Sequence, residues 1–98
     1  MELRQEWIEN RLKLAVSGRL DTTTAPELDK LLKETLDKAE ELELDFSQLS
    51  YISSAGLRVL LSAQKVMGRK GKMVLKGVQE AVMEVFEITG FSDILSFE

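Results

Sequence analysis

The chain contains no cysteine and no histidine, which removes disulfides, thiolate nucleophiles, imidazole bases and the usual zinc ligand sets together. Proline, tryptophan and tyrosine occur once each, and no uninterrupted apolar run approaches the roughly 18–20 residues that a membrane span requires. The opening Met1-Glu2-Leu3-Arg4-Gln5 lacks the charged-then-apolar pattern of a secretory signal, so the expected location is the cytoplasm. A net charge of −4 argues against nucleic acid as a partner, because phosphate-backbone affinity comes from many Lys and Arg contacts. The acids are concentrated early: residues 1–45 carry twelve acids and seven bases, whereas all six bases of residues 46–98 fall between Arg58 and Lys76. A solvated helix face and turn accounts for that basic run.

What remains is an ordinary core-forming sequence, 98 residues long and 44% hydrophobic, the size of one domain spanning residues 1–98. Such a domain buries roughly 60–70% of its chain surface, too little to enclose a deep substrate cavity as well, so function belongs on the outside.

Two β-like runs, Leu3 to Ile8 and Arg11 to Gly18, flank Glu9-Asn10 and predict a hairpin. Thr24-Ala25-Pro26-Glu27 has the pattern of a capping box, predicting a helix whose buried stripe is Leu28, Leu31, Leu32, Leu36 and Ala39. Glu41 to Phe46 alternates as a strand, and Ser47 to Ser54 reads as a polar loop around Leu49, Tyr51 and Ile52. A broadly apolar helix then runs from about Ser54 to the glycines of Gly68-Arg69-Lys70-Gly71. Met73 to Lys76 predicts a strand, Val82, Val85 and Phe86 mark a helix ending at Gly90, and Ile94 to Phe97 predicts a last strand. The resulting order, ββαβαβαβ, predicts an α/β fold with a mixed, mostly parallel sheet of about five strands opened by an N-terminal hairpin.

In such folds the working surface lies at the carboxyl ends of the parallel strands. Two segments qualify, Gly18 to Thr24 and Ser50 to Leu57. A serine at the second helix start sits where unpaired amides and the positive helix end favour a phosphate dianion. Gly56, without a side chain, would let a kinase or partner approach closely. The plain alternative is that Ser53 or Ser54 is simply an N-cap. Gly68-Arg69-Lys70-Gly71-Lys72 is a basic turn and no phosphate loop, since Val66 and Met73 stand where glycine and Ser or Thr belong. Asp21 and Asp45 lack the third group of an acid–base site, and Trp7 and Tyr51 read as core-edge packing.

Ile52-Ser53-Ser54-Ala55-Gly56-Leu57, following Leu44-Asp45-Phe46-Ser47-Gln48-Leu49, resembles the anti-sigma factor antagonist group of STAS domains. Gly18-Arg19-Leu20-Asp21 with Thr24-Ala25 is similar to that family's Gly-Glu-Leu-Asp loop, and the resemblance covers essentially the whole chain. It implies a non-enzymatic partner switch without a cofactor. The unmodified protein would bind an anti-sigma factor serine kinase and free a sigma factor, phosphorylation would end the binding, and a serine phosphatase would reset it. The family's Asp-Ser-Ser-Gly-Leu motif assigns the phosphate to Ser54, with Ser53 second because it replaces the usual acid; Ala55 replaces a rival serine. The implied partner-binding residues are Asp21, Thr22, Thr23, Thr24, Ser53, Ala55, Gly56 and Arg58. Many relatives continue past the position of Glu98 into another helix, which implies a reduced far surface here. The competing expectation is a non-switching STAS scaffold or accessory subunit of a stress-sensing or lipid transport complex.

Overall fold

The computed structural model describes residues 1–98. A two-residue loop, Glu9-Asn10, joins β1 (Glu2–Ile8) to β2 (Arg11–Leu20), with Glu9 at a φ of 55° that suits glycine or asparagine better than glutamate. β2 leads into α1 (Ala25–Thr35), and the chain returns through β3 (Glu41–Asp45) and β4 (Leu49–Ile52) to α2 (Ser54–Met67). β5 (Lys72–Lys76) and α3 (Glu80–Thr89) follow, then a single 3-10 turn at Phe91–Asp93.

The sheet runs β1-β2-β3-β5, with β4 also paired to β2. Only β1–β2 is antiparallel; β2–β3, β2–β4 and β3–β5 are parallel. The expected five-strand mixed sheet is present, although its membership differs from the sequence reading. Ser47 to Ser54 is no plain loop, because after a turn at Ser47-Gln48 the chain rejoins the sheet as β4. Ile94 to Phe97 forms no strand. It contributes one isolated bridge, Phe97 to Leu75, because the 3-10 turn and Leu95, which is buried in the core, leave only the last residues alongside β5.

Period-two alternation sorts the sheet into two faces. Leu12, Leu14, Val16, Leu42, Leu44, Met73 and Leu75 enter one core with Leu28, Leu32, Leu36, Leu57, Leu60, Val82 and Phe86 from the three helices. Residues that alternate with them form a charged outer face, on which Arg11 pairs with Glu41 at 3.0 Å and Lys76 with Glu43 at 3.0 Å. Glu98 reaches both Lys72 and Lys76, tying the tail to β5. Glu43 raises the Lys76 pKa and Lys72 lowers that of Glu98, each first through a hydrogen bond that favours the charged form. The basic turn also has a structural task. The Lys70 ammonium donates to the carbonyls of Leu36 and, at 3.1 Å, Asp37, where the end of α1 concentrates negative charge.

Candidate functional site

β2 runs two residues beyond the predicted Gly18. Gly18 takes a φ of +93°, and a register shift between Gly18 and Arg19 lets β4 pair with the last part of β2. Arg19 then stands beside Tyr51 and Leu20 beside Ile52. One further ladder bond, from the Ser53 N–H to the Leu20 carbonyl at 2.9 Å, joins the two chosen segments where they leave the sheet. They are neighbours on one rim, as the parallel topology requires.

On the first segment Asp21 organises the turn. Its Oδ1 accepts from the Thr23 N–H at 3.0 Å, the Thr23 hydroxyl at 2.7 Å and the Thr24 N–H at 3.1 Å. These donors, the Thr23 hydroxyl first and then the Thr24 amide, hold the carboxyl below its ordinary value of 3.8. The expected capping box is absent, because the Thr24 hydroxyl is used inside the turn: it accepts from the Asp21 N–H at 2.8 Å and donates to the Arg19 carbonyl at 2.8 Å. The Glu27 amide bonds the Thr24 carbonyl instead. Thr22 and Thr23 are exposed, whereas Thr24 is half-buried and serves to shape the loop.

On the second segment Ser53 is the N-cap of α2, in extended conformation, with its hydroxyl accepting from the Gly56 N–H at 3.4 Å. Ser54 is the first helical residue and is exposed. The cap and the exposed hydroxyl therefore belong to two different serines. Arg58, one turn on at i+4, is exposed on the same side of the helix as Ser54, and Ala55 is half-buried.

Gly56 is the exception among the expected contact residues. It is buried, and a Cβ there would lie 2.8 Å from both Ile52 Cγ1 and Leu20 Cγ. Its missing side chain lets the helix start settle onto the ends of β2 and β4, and gives no approach to an outside molecule.

Two residues absent from the sequence assignment complete the rim. The Arg19 guanidinium lies 4.1 Å from the centre of the Tyr51 ring, with its Nε 3.9 Å from Asp21 Oδ2. Tyr51 is no core-edge residue; at 39% exposure it is a platform for Arg19. The available signal was the position of each, immediately before a buried strand-end aliphatic, but it becomes readable only once β4 is recognised. Asp45 is remote from this constellation in role: it projects from the charged outer face and accepts the Ser47 N–H at 2.9 Å.

The family model described as "Mlab, STAS domain" matches residues 3–96. The candidate anti-sigma factor antagonist BtrV of Bordetella bronchiseptica is 40% identical over 96 residues, covering 96% of this chain and 83% of that protein. The anti-sigma-B factor antagonist of Listeria monocytogenes is 32% identical over 91 residues, covering 91% of this chain and 80% of the relative. Among solved structures, the anti-sigma factor antagonist SpoIIAA superposes in its unphosphorylated form with a TM-score of 0.85 at 16% identity, over 99% of this chain and 88% of the other. SpoIIAA from Bacillus in its phosphorylated form superposes at 0.77 and 15% identity, over 99% and 91%. At these identities SpoIIAA testifies to the fold, and the family model and the two sequence relatives carry the assignment: the chain belongs to the STAS domain family, among the anti-sigma factor antagonists.

Proposed function

We propose that this protein antagonises an anti-sigma factor that is also a serine kinase, binding it while Ser54 is unmodified and so freeing a sigma factor. Phosphorylation of Ser54 ends the binding, and a serine phosphatase restores it. The observation that carries this reading is the division of labour at the start of α2, where Ser53 is engaged as the cap and Ser54 presents its hydroxyl outward on the rim shared with Asp21, Thr22 and Thr23. A kinase needs an accessible hydroxyl, and Ser54 is the one that can be modified without dismantling a hydrogen bond of the cap.

Phosphate at this position adds about −1.5 to −2 charges and three acceptor oxygens. Unpaired N–H groups and the positive end of α2 stabilise that charge, and Arg58 supplies a cation one turn away. The fold therefore tolerates the dianion while a partner packed on the rim does not. A protein of the same fold solved in both phosphorylation states, SpoIIAA, supports a modification that leaves the scaffold intact. Asp21, held ionised by its threonine donors, and the stacked Arg19 give the rim fixed charges of both signs for recognition. The protein acts by binding and not by turnover, in the cytoplasm where sigma factors work.

The test is incubation with the cognate kinase and ATP, phosphosite mapping by mass spectrometry, and partner pull-down. Wild type acquires one phosphate on Ser54, Ser54→Ala acquires none and still binds, and Ser54→Asp loses binding. Continued phosphorylation of Ser54→Ala together with wild-type binding by Ser54→Asp would refute the assignment.

A further inference from the structure

β1 ends the strand order, paired with β2 on one side and with nothing on the other. Ile8 and Arg11 flank the two-residue loop, so they and every second pair along the hairpin, Glu6 with Lys13, Arg4 with Ala15 and Glu2 with Ser17, exchange backbone hydrogen bonds. The N–H and C=O groups of Leu3, Gln5 and Trp7 consequently point off the sheet. Open edges are usually blunted by proline, a bulge or a run of like charge. β1 has no proline, its register with β2 is unbroken, and its charges alternate in sign as Glu2, Arg4 and Glu6.

We infer that this edge pairs with the same edge of a second copy, antiparallel about Gln5, to make one continuous sheet across a two-fold axis. Leu3-Arg4-Gln5-Glu6-Trp7 is self-complementary in that register: Gln5 faces Gln5, Arg4 faces Glu6, and Leu3 faces Trp7, each unlike pair formed twice by symmetry. The hydrogen-bond phase agrees, since the residues placed opposite one another as bonded pairs are Leu3, Gln5 and Trp7. A slide of two residues, the smallest that keeps this phase, sets Arg4 against Arg4 and Glu2 against Glu6 in one direction. In the other it sets Glu6 against Glu6. Like charges therefore disfavour both neighbouring registers.

The apolar side fits as well. Leu3, Gln5 and Trp7 share the helix-facing side with Val16, Leu14 and Leu12 opposite them. Trp7 is 38% exposed, with its Nε1 donating only to Gln5 Oε1 at 3.2 Å. Between the start of β1 and α1 lies an open cleft of about 560 Å³ lined by Met1, Leu3 and Leu31, with Glu27, Lys30 and Glu34 at its rim. The pairing sets the indole of the second copy beside Leu3, at the mouth of this cleft, and the same contact recurs across the axis. The two Ser54 rims lie beyond the paired segment, since β1 is in register with β2 only as far as Ser17, and they face opposite ends of the joined sheet.

Trp7 is the only tryptophan, so its emission reports directly on this edge. Sedimentation equilibrium of the full chain from about 1 μM to about 1 mM is expected to show the mass rising from 11.1 kDa toward twice that value, with a blue shift of Trp7 emission over the same range. Gln5→Pro, which removes an off-sheet N–H and leaves the β2 ladder intact, should hold the mass at 11.1 kDa with an unchanged circular dichroism spectrum. Arg4→Glu and Glu6→Arg should each weaken the dimer about tenfold, and the double variant should recover most of that loss. If Gln5→Pro does not fold, the charge-swap series decides alone. A wild type that stays at 11.1 kDa throughout, a dimer that the single charge variants leave intact, or a double variant no tighter than either single would overturn the inference. None of these outcomes bears on phosphorylation at Ser54.

Discussion

Ser53 and Ser54 are adjacent, chemically identical and differently employed. The cap position commits the Ser53 oxygen to the Gly56 amide, and the next residue projects outward. Replacing Ser53 by alanine should cost about 1 kcal/mol of stability, read by denaturant titration, whereas Ser54→Ala should leave stability within about 0.5 kcal/mol of wild type. Gly56→Ala should be worse than either in packing terms. Overpacking against Leu20 and Ile52 costs about 1–3 kcal/mol, against a helix-propensity gain of about 1 kcal/mol, so a net fall in Tm of several degrees is expected in calorimetry. Asp21 supplies the pH dependence. Its folded-state pKa lies below the ordinary 3.8, so the carboxylate's contribution to the turn is fully present above 3.8 and is lost only as the pH falls through the depressed value. An NMR titration should show the Thr23 and Thr24 amide shifts moving with a midpoint below 3.8, and Asp21→Asn should abolish that step. A midpoint at or above 3.8 would contradict the hydrogen-bond assignment.

The element that most affects the site is β4, only four residues long. It carries too few residues for period two to register, and its exposed Ser50 and Tyr51 make it resemble a turn. Other elements were legible: the hairpin, α1, β3 and α2 announce themselves through apolar patterning, β5 as a short run between the glycines of Gly68-Arg69-Lys70-Gly71 and Gly77, and α3 through Val82, Val85 and Phe86 before Gly90. The cap of α1 departs from the capping box its sequence predicts, because spacing admits a Thr24 side-chain bond to residue 27 whereas the loop offers Thr24 nearer partners in Arg19 and Asp21. The outward Ser54 was legible as a residue but not as a geometry, since local sequence alone does not say which of two serines caps the helix. α1 is also held from outside. Lys70→Met removes the cation over the Leu36 and Asp37 carbonyls and should cost about 0.3–1 kcal/mol, visible as faster amide exchange in the last turn of α1.

At the scale of the whole molecule, the proposed switch lies apart from what stabilises the fold. One apolar core joins three helices to a single face of the sheet, the opposite face carries the charge pairs, and the proposed recognition surface is the rim where β2 and β4 end. Modification of Ser54 touches no core side chain, so the modified protein should unfold at nearly the temperature of the unmodified one while its surface charge changes sharply. Partner affinity and fold stability should therefore respond independently to phosphate. The most direct measurement is the affinity of the Ser54-phosphorylated and unmodified proteins for the same anti-sigma factor, determined by calorimetry beside a thermal melt of each. The account predicts a loss of about a hundredfold in affinity with little change in Tm. Equal affinities, or a loss of binding explained by unfolding of the phosphorylated chain, would contradict it.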